Sequence, residues 1–243
     1  LEARSHSLKI LANSFYGYLG FSMARWYSNE AAMATTAYGR FYIKKAIGKA
    51  QSEGFSVIYS DTDSVFITLD GKSKKDALQY QEDINKELPG LMELEFEGYY
   101  PSGIFVSAKV GAYGAKKKYA LSDGKGNLKI KGFETVRRNW SPIAKTTQQE
   151  ILKIVLEENN PKKALDHVQH IMKDLKQHKV PIEAVTITTQ LTKEIKSYDA
   201  IGPHVAVAER MKQKGKQVSP GSVIKYVVTK GKNRIRDRAR MPE

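Results

Sequence analysis

Residues 56–69 read SVIYSDTDSVFITL, and this stretch determines how the rest of the chain is interpreted. Both flanks are rich in β-branched and aromatic residues, which favour strands. Residues 60–63 between them are polar residues typical of a tight turn. The stretch therefore predicts a β-hairpin with Asp61 and Asp63 at or beside its tip.

The two carboxylates suggest a metal site. Residues i and i+2 of an extended backbone project from the same face, so Asp61 and Asp63 would repel each other unless a cation lay between them. Mg²⁺ suits such hard oxygen ligands, since it takes one or two carboxylates together with substrate phosphates. The simpler alternative is a solvated turn, where Asp is common, and the hairpin alone favours that alternative.

The composition indicates a globular, basic protein. The chain has 243 residues, of which 41% are hydrophobic, enough for a sizeable core in one or two domains. Its 40 Lys and Arg residues against 26 Asp and Glu give a net charge of +14. Such an excess favours a polyanionic partner, with nucleic acid as the first candidate and an anionic membrane surface as the second.

The absence of Cys excludes disulfides and thiolate zinc sites. A reducing cytoplasm is the most natural compartment for such a chain. We also expect no signal peptide and no membrane-spanning segment, because the chain has no apolar run of sufficient length.

Residues 5–20 predict a helix. One face carries Lys9, Asn13 and Tyr16, at i, i+4 and i+7, so an ammonium, an amide and a phenol line up along one side. Gly17 follows and permits close approach to the backbone. An ordinary amphipathic helix with a polar face would explain this pattern equally well. The apolar stripe comprises Leu8, Leu11, Ala12, Phe15 and Leu19.

Further helices and strands follow in order. Ser28 or Asn29 caps a helix that runs to about Ser52, and Ser73 caps another that ends before Pro89. Residues 91–97 alternate strictly, which predicts a strand with glutamates on one face. That face is either simply solvated or brings a glutamate such as Glu95 to the border of the metal site.

A lysine-rich strand is predicted after a β run at residues 103–110. Lys116, Lys117, Lys118 and Tyr119 lead into this strand, which turns at 122–127 and returns at 128–131. The lysines fit a solvated edge strand, where lysine discourages aggregation. They fit equally a grip on nucleic-acid phosphates, with Tyr119 packing on a sugar or base.

From Arg137 and Arg138 onward the sequence is mostly helical in pattern. Helices are predicted to begin at Pro142, after Pro161 and at Pro203, with a β segment at 222–230. Lys and Arg recur throughout 193–240, which suggests a module that follows a phosphate backbone electrostatically.

Several of these segments together resemble family B DNA polymerases, and most closely the archaeal members. Lys9–Gly17, KILANSFYG, resembles the family's fingers-helix motif, and residues 59–64, YSDTDS, resemble its palm motif. Residues 116–119, KKKY, resemble the element between palm and thumb, although Lys118 stands where the family often has Arg. Residues 131–140 resemble the segment that follows, with Asn139 in place of the usual Asp. Residues 202–205 and 220–226 resemble the archaeal thumb.

The resemblance implies an α+β fold, a partial palm of antiparallel sheet with packed helices. Residues 1–22 would be the C-terminal fingers helix, 23–112 the C-terminal part of the palm and 113–243 a mainly helical, duplex-binding thumb. Template-directed addition of deoxynucleotides to a primer 3′-hydroxyl would be the reaction, with primer–template DNA and a dNTP as substrates.

The resemblance also assigns roles to residues. Asp63 would bind the two catalytic Mg²⁺ ions directly, with Asp61 as a second or indirect ligand, and Mn²⁺ could substitute. Thr62 and Gly17 would be accessory residues of these two motifs. Nucleotide-binding residues would be Lys9, Asn13 and Tyr16. DNA-binding residues would be Lys116, Lys117, Lys118, Tyr119, Arg137 and Arg138.

One palm motif of the family, an Asp followed by Ser-Leu-Tyr-Pro-Ser, is absent from the sequence. Because two cations need bridging carboxylates, Asp61 and Asp63 alone do not make a two-metal site. The sequence therefore predicts the small subunit of a split polymerase, completed by a larger chain that carries the missing palm aspartate and the exonuclease domain. A sliding clamp would be a further partner, and a nucleoid-associated, cytoplasmic location follows.

Two rival functions remain at this point. The chain could be a non-catalytic subunit that clamps duplex DNA, although the intact Asp-Thr-Asp sequence argues against it. A membrane-surface protein is disfavoured, because the basic residues are scattered and form no strongly amphipathic basic helix.

Overall fold

The computed structural model describes residues 2–107 and 114–242, which form two compact units. The first unit extends to Tyr99 and the second begins at Tyr100. Both mix helices with small antiparallel sheets, which confirms the predicted α+β class. The assignment of residues 1–22, 23–112 and 113–243 to fingers, palm and thumb stays a prediction.

The first unit contains three helices and one β-hairpin. In chain order these are α1 (Glu2–Leu19), α2 (Asn29–Ser52), β1 (Ser56–Asp61), β2 (Ser64–Thr68) and α3 (Lys74–Glu87). Both predicted caps are present. Ser28 accepts a hydrogen bond from the Ala31 amide, and Ser73 forms a reciprocal capping box with Asp76.

The core of the first unit lies where α2 and α3 meet the hairpin. Ala46 and Ala50 of α2 let Tyr80 and Ile84 of α3 pack closely beside Phe55. Full burial of a side chain such as Ile84 contributes about 1.5–3 kcal/mol. This small cluster therefore holds the hairpin against its two supporting helices.

The predicted strand at residues 91–97 is wrong, because this segment pairs with no strand in the described chain. The side chain of Asn85 takes the place of a strand partner. It accepts a hydrogen bond from the Leu94 amide at 2.7 Å and donates to the Leu94 carbonyl at 3.0 Å. Gln81 donates to the same carbonyl. The alternating pattern correctly predicted that Leu94 faces the core. It carried no information on whether a neighbouring strand is present.

The helix predicted at residues 5–20 is confirmed as α1, but its apolar stripe is not buried. Leu8, Leu11 and Phe15 are each more than half exposed. The helix meets α2 through its C-terminal end, where the Ser28 amide donates to the Leu19 carbonyl. Most of α1 therefore lies beyond the core of this unit.

The second unit contains two three-stranded antiparallel sheets and the remaining helices. The first sheet is β3 (Ser102–Ser107), β4 (Gly114–Ser122) and β5 (Leu128–Lys131), in the order β3-β4-β5. Residues 108–110 of the predicted β run lie outside the described residues. A 3-10 turn (Glu134–Val136), α4 (Pro142–Lys153) and a π-helical turn (Ile154–Glu158) follow, with Ala120, Phe133, Leu152 and Leu156 forming the core.

The rest of the second unit builds another core. Its elements are α5 (Pro161–Lys176), α6 (Ile182–Val185), β6 (Ile187–Gln190), α7 (Pro203–Gln213), β7 (Val223–Val228), α8 (Ile235–Arg238) and β8 (Ala239–Arg240). Strand β7 was predicted, whereas the short strands β6 and β8 that flank it were not. None of the helices in the described part of the chain combines the length and apolarity that a bilayer crossing requires.

Candidate active site and nucleic-acid interface

The hairpin turn brings Asp61 and Asp63 to its tip. Asp61 is the last residue of β1 and pairs with Ser64, the first residue of β2. The Asp63 amide donates to the Asp61 carbonyl at 2.6 Å across Thr62, whose φ is +53°. A bond from residue i+2 to residue i across a positive φ is the pattern of a γ-turn, which is rare and strained. A β-branched residue in this conformation is an outlier.

This turn changes the expected relation between the two carboxylates. Alternation to one face applies to extended backbone, and Thr62 is not extended. Asp61 is half-buried and accepts a hydrogen bond from the Thr62 hydroxyl at 3.2 Å. Asp63 is exposed at the apex of the turn. The tip thus presents one fixed and one accessible carboxylate.

The two carboxylates fit part of a Mg²⁺ coordination sphere. Mg²⁺ is usually held by one or two protein carboxylates, with water and substrate phosphates completing its octahedron. Within residues 2–107 and 114–242, no group of three or more His, Asp or Glu side chains is arranged to hold a metal ion. At this tip, the first unit therefore offers a metal ion the hard oxygen donors of Asp61 and Asp63.

The strands leading to the tip are irregular at one point and tied together at their open end. Ile58 is an extra residue between the pairs Val57–Ile67 and Tyr59–Phe66, and such a bulge increases the local twist. At the open end of the hairpin, Asp70 accepts hydrogen bonds from the Ser56 amide at 3.1 Å and the Thr68 hydroxyl at 2.8 Å.

The sequence analysis predicted no role for Asp70. Hydrogen bonds from Ser56, and then from Thr68, hold the pKa of its carboxyl below the ordinary value. Its Asp-Gly pair at residues 70–71, with both φ values positive, was the turn signal available in the sequence.

The three polar residues of α1 share an exposed face. Lys9, Asn13 and Tyr16 are all exposed, and their spacing of four and three residues aligns them along the helix. A Cβ added to Gly17 would meet nothing within 4 Å, so the surface beside Tyr16 is open. Glu95 is also exposed, in the extended segment after α3.

The lysine-rich segment of the second unit places its four residues differently. Lys116 and Lys117 are exposed at the start of β4, and Lys117 has a φ of +57°. Lys118 is half-buried and forms an ion pair with Glu134 at 3.3 Å. Tyr119 is only 8% exposed, so most of its side chain is buried in the unit. The centroid of its ring lies 5.6 Å from that of Phe105.

The paired arginines and the basic C-terminal region divide into two groups. Arg137 and Arg138 are exposed just after the 3-10 turn. Arg210 instead donates to the backbone carbonyls of Ala239 and Arg236, and Arg238 donates to the Thr229 carbonyl. Part of the basic charge of residues 193–240 therefore holds the fold together.

Comparison with known proteins identifies the family. The sequence profile of DNA polymerase family B matches residues 1–243, the whole chain. The chain belongs to DNA polymerase family B. It is 44% identical to the DNA polymerase of Thermococcus gorgonarius over 244 residues, covering 98% of this chain and 30% of the relative. It is 43% identical to the DNA polymerase of Methanocaldococcus jannaschii over 236 residues, covering 95% of this chain and 14% of the relative.

A solved structure is similar as well. The family B DNA polymerase of the hyperthermophilic archaeon Pyrobaculum calidifontis matches with a TM-score of 0.67 and 30% identity, covering 98% of this chain and 30% of that chain. This family B chain thus spans about 30% of the length of T. gorgonarius DNA polymerase and of the solved relative.

The sequence analysis also missed two residues that organise the basic segment of this family B chain. Glu134 lies within residues 131–140, where the sequence assigned it no role of its own, and Gln148 carried no sequence signal. Gln148 donates to Glu134 at 2.7 Å, and Glu134 in turn contacts Lys118. A Glu and a Gln fourteen residues apart, across a turn and a helix start, leave no periodic signal that sequence reading could use.

Proposed function

We propose that this chain supplies part of the active site of a DNA-directed DNA polymerase, which adds deoxynucleotides to a primer 3′-hydroxyl on a template. The observation that carries the proposal is the strained turn that presents Asp61 and Asp63, in a chain that matches family B over its whole length. Strained backbone of this kind clusters at functional sites.

Asp63 is the direct ligand of two Mg²⁺ ions in this proposal, and Asp61 is a second or indirect ligand. Bound ions of this kind, or Mn²⁺ in their place, acidify the attacking hydroxyl and stabilise the leaving pyrophosphate. The chain's own contribution is to hold the two carboxylates. Asp61 is fixed by the end of β1 and by the Thr62 hydroxyl, while Asp63 is accessible at the apex.

The exposed face of α1 binds the incoming nucleotide. Lys9 meets the triphosphate, for which a compact point charge is suited. Asn13 and Tyr16, on the same face, contact the nascent base pair, and Gly17 leaves room beside them. The exposure of all three side chains supports this role.

The second unit binds the primer–template duplex. Lys116, Lys117, Arg137 and Arg138 are exposed cations suited to phosphate contacts, which position a duplex without reading its sequence. Lys118 contributes to duplex binding from a position that its ion pair with Glu134 fixes. Tyr119 is mostly buried and anchors the strand that carries these lysines.

A second chain completes the site in this proposal, carrying the remaining palm aspartate and the exonuclease domain. The support is apolar surface on the first unit. Met33, Tyr38 and Phe41 of α2 and the bulge residue Ile58 are each at least 50% exposed, in addition to the stripe of α1. So many large apolar side chains exposed in one small unit support an apolar interaction surface, and obligate interfaces are large and apolar.

Primer extension tests the proposal. The chain would be assayed with Mg²⁺ and four deoxynucleotides, alone and mixed with the part of T. gorgonarius DNA polymerase that lies outside the matched region. We expect extension only in the mixture, and its loss with Asp63→Ala. Extension by the chain alone would contradict the need for a partner. As an activity-independent readout, Mn²⁺ should broaden the NMR signals of residues 60–64 in the wild type and not in Asp61→Asn/Asp63→Asn.

The second candidate function is a non-catalytic clamp on duplex DNA. The exposed Arg137 and Arg138 favour it, since they can bind phosphates whether or not the hairpin binds metal. A formed complex with no extension, unchanged duplex binding by Asp63→Ala and no Mn²⁺ broadening would establish the clamp in place of the polymerase.

A further inference from the structure

Lys118, in the basic segment, is held by an internal carboxylate, that of Glu134. Its Nζ lies 3.3 Å from Glu134 Oε1 and 5.1 Å from the centroid of the Phe133 ring. The side chain of Lys118 is 30% exposed and that of Glu134 is 21% exposed. The ammonium is therefore confined between a carboxylate and an aromatic face, with part of its surface still open to solvent.

Glu134 is itself fixed by a second side chain. Gln148 of α4 donates from Nε2 to Glu134 Oε2 at 2.7 Å, and its Oε1 accepts from the Thr135 amide at 3.0 Å. The amide of Gln148 thus uses both ends and cannot turn without losing a hydrogen bond. The hydrogen bond from Gln148, followed by a backbone hydrogen bond and then that from Lys118, holds the pKa of the Glu134 carboxyl below its ordinary value.

The backbone around this group is also constrained. A Cβ on Gly132 would overlap the carbonyl of Lys117, which shows that the two backbones touch just before Lys118 and Glu134. Phe133 is buried in the core with Ala120 and Leu152. The backbone next to Lys118 and Glu134 therefore has little freedom to move.

We propose that Glu134 is a positioning residue for Lys118, which it holds, with the help of Gln148, so that the ammonium meets a phosphate of the duplex without being ordered at the moment of binding. The inference rests on the proposed binding of duplex DNA by the second unit. An ammonium has three donors, so Lys118 can keep its bond to Glu134 and still donate to a phosphate. Lysine side chains lose much rotamer freedom when fixed, and prior ordering improves affinity.

The proposal and simple electrostatics predict opposite changes in duplex affinity when the Glu134 carboxylate is removed. Removing a carboxylate from a basic surface should strengthen the binding of a polyanion. If Glu134 orders Lys118, Glu134→Gln should instead weaken duplex binding, about twofold to tenfold, which is the effect expected from releasing one long side chain.

The experiment is fluorescence anisotropy of a labelled primer–template duplex with the full chain, between about 50 and 200 mM salt. We expect Lys118→Met to lower the salt slope of the binding constant by about one. Glu134→Gln should weaken binding in the wild-type background but not in Lys118→Met, where loss of the carboxylate should leave binding unchanged or strengthen it. Gln148→Met, which removes the hydrogen bond without touching a charge, should act in the same direction as Glu134→Gln.

A matched control is Glu158→Gln. Glu158 also pairs with a lysine, Lys163, at 2.7 Å, but both side chains are exposed, and within residues 2–107 and 114–242 no glutamine hydrogen-bonds to this pair. We expect this variant to bind duplex as tightly as the wild type or more tightly. Melting temperatures of all variants establish that they are folded.

Three results would overturn the inference. Tighter binding by Glu134→Gln would show that the carboxylate only screens Lys118, and an equal effect of Glu134→Gln with and without Lys118 would show that it acts elsewhere. Unchanged binding by Lys118→Met would remove this lysine from the interface while leaving the proposed function intact. Absence of salt-dependent binding by the wild type would instead overturn the duplex-binding role of the whole unit.

Discussion

A Cβ placed on Gly132 would overlap the carbonyl oxygen of Lys117 and lie 2.9 Å from its carbonyl carbon. Both residues have positive φ values, +70° for Gly132 and +57° for Lys117. Two irregular backbone positions from separate parts of the chain thus fit against each other. This contact explains why glycine stands between the return strand and Phe133, and it links the lysine-rich strand to the turn that carries Glu134.

Gly132→Ala should destabilise the second unit by about 2–4 kcal/mol, because an unfavourable backbone conformation and a backbone collision act together. Chemical denaturation followed by circular dichroism measures the change in the free energy of unfolding. Gly215→Ala is the matched control. Its φ is +78°, but nothing lies within 4 Å of the added Cβ, so it should lose only about 1 kcal/mol. Equal losses in the two variants would contradict the collision.

Arg210→Met should also destabilise the second unit, by about 1.5–3 kcal/mol. The guanidinium donates to the carbonyls of Ala239 and Arg236, and hydrogen bonds from a charged donor contribute about this much. Lys212→Met, an exposed change on the same helix, should alter stability by less than about 0.5 kcal/mol. A larger effect at Lys212 than at Arg210 would contradict a structural role for Arg210.

A pH effect is expected from Tyr80 in the first unit. Its hydroxyl donates to the Ala46 carbonyl at 2.9 Å, and burial raises the pKa of Tyr80 to about 12. The folded state therefore favours the neutral phenol. Its contribution to stability is complete below the unfolded pKa of about 10 and is lost as the pH rises through about 12.

Tyr80→Phe tests this effect by unfolding at several pH values. At neutral pH the variant should be less stable by about 1 kcal/mol, because the Ala46 carbonyl loses its donor. The gap should close as the pH approaches about 12, since only the wild type loses the contribution there. Tyr38→Phe, at an exposed position, should follow the wild type throughout. A gap that is constant with pH would contradict the assignment.

The sequence predicted those elements that are determined locally. The hairpin follows from two β-rich runs around a polar turn, and α3 follows from the Ser73 cap and the Pro89 before which it ends. Such signals lie within a few residues of each other, so they can be read without knowing the rest of the fold.

The errors concern partners that are distant in sequence or supplied by a side chain. Residues 91–97 have the right alternation for a strand, but Asn85 satisfies the backbone of Leu94 in place of a neighbouring strand. The apolar stripe of α1 predicts a helix correctly and gives no information on what covers it. The γ-turn at Thr62 was missed because no propensity predicts a β-branched residue with positive φ.

Arg137→Met/Arg138→Met should weaken binding of a primer–template duplex to the same degree for every sequence. Two exposed cations that contact phosphates should together lower the salt slope of the binding constant by about two. Lys163→Met is the matched control in the same unit, because Glu158 already pairs with Lys163 at 2.7 Å. Anisotropy titrations over a range of salt concentrations make the measurement. An unchanged slope in the double variant would exclude the arginines from phosphate contact.

Thr62→Gly should be more stable than Thr62→Ala by about 1 kcal/mol. Both variants lose the hydroxyl that donates to Asp61, but only glycine adopts a φ of +53° without strain. Urea unfolding measures this difference, and equal stabilities would show that the turn is relaxed.

The same two variants, Thr62→Gly and Thr62→Ala, separate the stability of the turn from its role in catalysis. Because a flexible glycine no longer fixes Asp63 relative to Asp61, Thr62→Gly should extend primers more slowly than Thr62→Ala in the complemented assay, although it is the more stable protein. Faster extension by Thr62→Gly would mean that the strained turn is not what prepares the two carboxylates for metal binding.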